Sequence, residues 1–229
     1  MRLSAVLAVV VACLASVEAE AAGFRFIDIP ADENGPALTG AVWSPCDQPP
    51  QPMRVGSVTI DAARNCPVAG ERLPLIVMSH GSGGWFGAHR DTAAALADAG
   101  FVVAAIDHPG DNAADRSRSD TLSILADRPA DIRRLTDFML DAWTEASKLD
   151  RGRIGFFGFS RGAYTGLVVA GGRLDILGIV PLCSEGFVDG CAPRSASARL
   201  SLNRPPRIGV SARPSWPTWS LAAPSRSTG

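Results

Sequence analysis

A serine with glycines two residues away on either side, Gly158-Phe159-Ser160-Arg161-Gly162, follows the apolar run Ile154–Phe157 directly and precedes an apolar stretch through Ala163–Ala170. If the first run is a buried strand and the second a helix, the serine sits on a tight strand-to-helix turn that forces strained backbone angles and presents its hydroxyl at the sheet edge. The helix start adds backbone N–H groups and a positive dipole end. Those are the needs of a nucleophile that attacks an acyl carbon and of an oxyanion that must be held. The pentapeptide by itself also fits an ordinary turn serine, and its strand and helix context is what favours Ser160 as nucleophile.

Ser79-His80-Gly81-Ser82-Gly83-Gly84 follows another apolar run, Leu73–Met78, where a loop supplying oxyanion donors belongs. The N–H groups of Ser82 and Arg161 are the expected pair of donors. A phosphate-cradling loop is the competing reading, but the segment lacks both the P-loop lysine and the G-x-G-x-x-G spacing.

A serine hydroxyl is a weak nucleophile at neutral pH without a positioned base. The chain has three histidines, His80, His89 and His108, all before Ser160. His80 and His108 read as residues that tie down strand-end loops by hydrogen bonds, and His89 as the less constrained of the three. No base is identifiable from these positions. For the acid, Glu185 and Asp189 follow the apolar run Ile176–Leu182, although charged loop residues are more often solvated. Asp107 and Asp111 read as Asx-turn residues. Trp85, Phe86, Phe156 and Phe159 suggest apolar walls, with core packing as the ordinary alternative.

Two kinds of strand pattern surround these residues. Phe24–Ile29 alternates apolar and polar residues, and Leu38–Ser44 and Val55–Ile60 follow it as short antiparallel strands. From Leu73 the runs lose alternation: Leu73–Met78, Phe101–Ile106, Ile154–Phe157 and Ile176–Leu182 suit strands buried on both faces. Between them, Thr92–Ala99 is Ala-rich and ends at Gly100. Ala130–Ser147 sets Ile132, Leu135, Phe138, Met139 and Ala142 on one helical face. The fold class is α/β: a mostly parallel sheet with helices on both faces and an antiparallel N-terminal edge.

Ser79–Gly84, Ala105-Ile106-Asp107-His108-Pro109-Gly110-Asp111-Asn112, Arg128-Pro129-Ala130-Asp131-Ile132 and Gly158–Gly162 together resemble the α/β-hydrolase superfamily. Within it the likeness is to dienelactone hydrolases and platelet-activating-factor acetylhydrolase-like proteins, over about Phe24–Leu182. The resemblance implies a serine esterase that acts on a small-molecule carboxylic ester or lactone through an acyl-serine intermediate, with no metal or organic cofactor. It also implies a chain order of serine, acid, histidine. This sequence departs from that order, because no histidine follows His108. A catalytically inactive hydrolase remnant or binding protein is therefore the alternative.

Composition bounds the rest. A chain of 229 residues, 46% hydrophobic and 20% charged, fits one globular domain. A net charge of -1 gives no field to attract nucleic acid or an anionic membrane. Arg2 followed by the apolar run Leu3–Val17 reads as a secretory signal over residues 1–21, too short for a membrane span. Val10–Cys13 also resembles a lipoprotein processing box, which makes Cys13 a site of lipid anchoring in a minor reading. In a secreted or periplasmic chain, Cys46, Cys66, Cys183 and Cys191 are disulfide candidates, with Cys46–Cys66 across a Pro-rich stretch and Cys183–Cys191 as companion. The hydrolase domain is expected over residues 24–190. Residues 191–229 lack Asp and Glu and form an Arg/Ser/Pro-rich tail, expected to be poorly ordered and explained by a reading-frame shift near Arg207. On that reading the domain is incomplete at its C-terminal end. The sequence does not indicate an oligomeric state.

Overall fold

A computed structural model describes residues 22–172. Strands β1 (Gly23–Ile29), β2 (Leu38–Ser44), β3 (Gln51–Val55) and β4 (Val58–Arg64) come first. They are followed by β5 (Leu73–Ser79), α1 (Arg90–Asp98), β6 (Val102–Ile106), α2 (Ile124–Asp137), β7 (Leu149–Gly158) and α3 (Arg161–Val169). All seven strands form one sheet in the order β3-β4-β1-β2-β6-β5-β7. It is parallel at β6-β5-β7 and antiparallel where β2 meets β1 and β6, the N-terminal edge that the sequence implied.

The loss of alternation after Leu73 has its cause in β6, all five residues of which are buried. Successive side chains of a strand point to opposite faces. Val102, Ala104 and Ile106 join the core under α2, with Ile132, Leu135 and Met139, while Val103 and Ala105 face Ala93 and Ala97 of α1. Each face needs apolar residues because each carries a helix. Full burial of a side chain such as Leu135 contributes roughly 2–3 kcal/mol.

Three local readings change. Val55–Ile60 is not one strand: Gly56, at φ 60°, and Ser57 form a two-residue turn that closes a β3–β4 hairpin with Val55 opposite Val58. The Pro-rich stretch thereby supplies β3, whose Pro52 is tolerated because β3 lies at the sheet edge. The helix expected from Ala130 begins at Ile124, contains Pro129, and gives way to a π turn at Phe138–Ala142. Proline removes the hydrogen bond to the carbonyl four residues back. Here that carbonyl, of Leu125, accepts the Tyr164 hydroxyl from α3 at 3.1 Å. Finally, Ile154–Phe157 belongs to a longer β7 and is only half-buried, since β7 is the outer strand of the described sheet.

Cys46 is bonded to Cys66, which ties the stretch after β2 to the end of β4. Among the described residues no helix is long and apolar enough to cross a membrane. The expected signal segment with Cys13, the strand Ile176–Leu182, Glu185, Asp189, Cys183, Cys191 and the tail lie outside the described residues.

Candidate functional site

The carboxyl ends of β5, β6 and β7 are adjacent, so the loops after them converge. In parallel sheets ligands bind in such crevices. The tightest of these turns joins β7 to α3. Ser160 has φ 52° and ψ -118°, a conformation L-residues rarely adopt, at a cost of about 1–3 kcal/mol. Its side chain is exposed. The two glycines are there for space: a Cβ on Gly162 would lie 2.0 Å from the Ser79 carbonyl oxygen, and one on Gly158 would lie 2.4 Å from the Gly162 carbonyl oxygen. The Phe159 amide donates to the Ser79 carbonyl at 3.2 Å, fastening the elbow to the end of β5. Arg161 opens α3, and first-turn N–H groups have no partner within their own helix.

Facing it, the loop after β5 carries Ser82. What joins the two is Asp111, from the loop after β6. Its Oδ1 accepts from the Ser82 hydroxyl (3.1 Å), the Gly83 amide (3.0 Å) and the Ser119 hydroxyl (2.7 Å). Its Oδ2 accepts from Arg128 (2.6 Å) and Arg161 (2.7 Å). Burial opposes ionisation of this carboxyl, but hydrogen bonds from Ser119, Arg161, Arg128 and Gly83 outweigh it and hold Asp111 far below the ordinary carboxylate range. Asp111 is thus no Asx-turn residue, because its acceptors are taken by four other segments. Asp107 is not one either, since its Oδ1 accepts the Phe86 amide at 2.6 Å. The Asx turn falls one residue past Asp111, at Asn112, whose side-chain oxygen accepts the amides of Ala114 and Asp115.

The histidines divide into two kinds. Arg128, fully buried, donates to the Ser79 hydroxyl at 3.0 Å and to the His80 carbonyl. Ser79 therefore donates its own proton to His108 Nε2 at 2.9 Å, which places the His108 proton on Nδ1, 3.0 Å from Asp131. Serine, histidine and aspartate are connected as in a catalytic triad. Yet Ser79 and His108 have no exposed surface and Asp131 has 5%, so this arrangement is closed to a substrate. Burial, with Arg128 nearby, holds His108 neutral, and burial pushes Asp131 up to about 7. His80 is also spoken for: Nδ1 donates to the Gly81 carbonyl at 2.6 Å and Nε2 accepts the His108 amide at 3.3 Å. Burial and the neighbouring His108 lower its pKa to about 3. His89 differs. Its ring packs 5.1 Å from that of Phe157 and 5.5 Å from that of Phe159, beside the elbow.

Trp85 and Phe86 line, with Phe26, Gly56 and Asp107, a cleft of about 440 Å³ on the β6 side of the Ser82 loop, and Ser160 is not part of its wall. Phe156 is half-buried against the core, and Phe159 is 59% exposed at the elbow. No group of His, Cys, Asp and Glu among the described residues is arranged to hold a metal ion.

Sequence reasoning placed Ser79, Asp111, Arg128 and Asp131 in the motifs that carry the resemblance but did not join them into one network. One signal was present: Arg128 lies four residues from Ile124 and from Ile132, on the buried stripe of α2, where a charge demands a partner.

Residues 48–131 match the family described as platelet-activating factor acetylhydrolase, isoform II. A segment of 60 residues is 42% identical to the platelet-activating factor acetylhydrolase of Cavia porcellus, covering 26% of this chain and 14% of that protein. Among solved structures, a ferulic acid esterase from Streptomyces cinnamoneus superposes with a TM-score of 0.52 at 21% identity, over 68% of this chain and 56% of that one. An acylaminoacyl peptidase from Pyrococcus horikoshii reaches 0.45 at 16% identity, over 73% and 23%, too loose a likeness to bear on function. This chain therefore spans a small part of the curated relative and little more than half of the esterase. The strand order, the elbow, the family match and the likeness to the ferulic acid esterase agree: the described residues have the α/β-hydrolase fold, and within it the chain resembles the platelet-activating factor acetylhydrolases.

Proposed function

We propose that this protein is a serine hydrolase that cleaves a small-molecule carboxylic ester or lactone through an acyl intermediate on Ser160. The observation that carries this reading is the exposed hydroxyl of Ser160 on a strained turn at the mouth of the parallel sheet. The Oγ attacks the acyl carbon and loses its proton to a base. The carbonyl oxygen becomes an oxyanion between the N–H groups of Ser82 and Arg161, and the alcohol leaves with a proton. Water then releases the acid and restores the hydroxyl. His80 and His108 have both ring nitrogens engaged, which leaves His89 as the described histidine beside the elbow. The likeness to an acetylhydrolase and to a ferulic acid esterase supports an ester as the bond cleaved. The Cys46–Cys66 bond supports an oxidising, secreted or periplasmic setting.

The engagement of His80 and His108 favours a second reading, a binding protein that keeps the elbow without a base. Covalent labelling by a fluorophosphonate separates them. Labelling that disappears in Ser160→Ala supports the hydrolase, and an unlabelled, folded wild-type chain supports the second reading.

A further inference from the structure

We infer that Asp111 is the positioning residue of the oxyanion site, setting the distance between the Ser82 and Arg161 amides by holding both residues through their side chains. The inference rests on the hydrolase reading above and extends it. The two amides come from different loops, one after β5 and the other at the start of α3, and Ser82 and Arg161 are 79 positions apart in sequence. Oxyanion stabilisation requires both donors at hydrogen-bond distance from one oxygen, so their separation must be fixed before the substrate arrives. Backbone contacts fix the elbow against Ser79 and hold the neighbouring loop at Gly84, whose amide donates to the Gly81 carbonyl at 3.1 Å and whose carbonyl accepts the Ala113 amide at 2.6 Å, but none of them is made by Ser82 itself, the exposed residue of that loop.

Asp111 supplies the missing constraint. One oxygen takes the Ser82 hydroxyl and the Gly83 amide, the other takes the Arg161 guanidinium, and the carboxylate itself has no exposed surface. Arg128, fully buried, holds the second oxygen from below and also bonds Ser79 and the His80 carbonyl at the root of the Ser82 loop. The guanidinium of Arg161 has a further consequence. It places a cation, 23% exposed, beside the elbow, which favours a developing negative charge.

The test uses the full-length chain, p-nitrophenyl acetate as substrate, and kcat, KM and melting temperature as readouts. Arg161→Met cuts one tether and keeps the backbone N–H. Its side chain is 23% exposed, and a retained cooperative melt separates an effect on kcat from a loss of fold. In this variant kcat should fall about 10-fold with KM within about 2-fold, and Arg161→Lys should recover part of the loss. Asp111→Asn keeps one acceptor oxygen for Ser82 and Gly83 and turns an amide N–H toward Arg161, so it cuts the same tether, lowers kcat at least as far, and adding Arg161→Met to it costs nothing more. Wild-type kcat in Arg161→Met, or a loss confined to KM, overturns the positioning role while the hydrolase reading stands. A wild-type chain that neither turns over the ester nor labels at Ser160 overturns both.

Discussion

The elbow after β7 and the loop after β6 meet at the same end of the sheet and are held in opposite ways. The elbow is held by space: Gly158 and Gly162 let backbone segments approach to distances no Cβ would permit, and few side chains take part. The β6 loop is held by charge, with Asp111 accepting five hydrogen bonds from four segments of chain. The first device is written within five consecutive residues. The second spans residues 79–161 and exists only after folding. A site can thus present one half locally and leave the other half to tertiary structure.

The strongest destabilisation is expected in the charged half. Asp111→Ala leaves the buried Arg128 guanidinium without its carboxylate and should cost about 3–5 kcal/mol in urea unfolding. Arg128→Met should cost less, because Asp111 keeps Arg161 and three neutral or backbone donors. Equal losses would show that the carboxylate is not the centre of the network.

The steric half should break at Gly162→Ala. The added methyl meets the Ser79 carbonyl, and relief requires α3 to move from β5, at a cost of about 3 kcal/mol with loss of any activity. Retained stability would mean that the elbow is looser than its geometry implies.

The contrast in legibility follows from the same physics. Ser160, its glycines and the strand before them stood out because a nucleophile elbow is a local backbone requirement. The β5 and β6 runs stood out because both faces of the sheet are covered. The β3–β4 hairpin was hidden, since Val55-Gly56-Ser57-Val58 reads as continuous strand unless the two-residue turn is recognised. The start of α2 was hidden by Pro129, whose cost is met by Tyr164 from another helix. Asp111 looked like a turn residue because its partners lie 8 to 50 positions away. Arg128 carried a signal, a charge on an apolar stripe, but nothing that named its partner.

A smaller effect tests the buried histidines. His80 and His108 have folded pKa values below the unfolded one, so the unfolded chain binds their protons first and stability is lost as pH falls below about 6.5. Asp131, raised to about 7, works the other way with one proton, since the folded chain holds it while the unfolded carboxyl ionises near 3.8. Two imidazoles against one carboxyl leave a net loss on the order of 1 kcal/mol between pH 6.5 and 5. Thermal melting at the two pH values should therefore shift downward by a few degrees on acidification. A rise on acidification would mean that His108 is charged in the folded state and ion-paired to Asp131.

If Ser160 is an activated nucleophile, a fluorophosphonate modifies it covalently. Intact mass of the labelled wild-type chain should rise by one phosphonyl group, with the modified peptide containing Ser160 and no increase in Ser160→Ala. A folded chain that stays unmodified under conditions that label a control serine esterase would show that Ser160 is not activated.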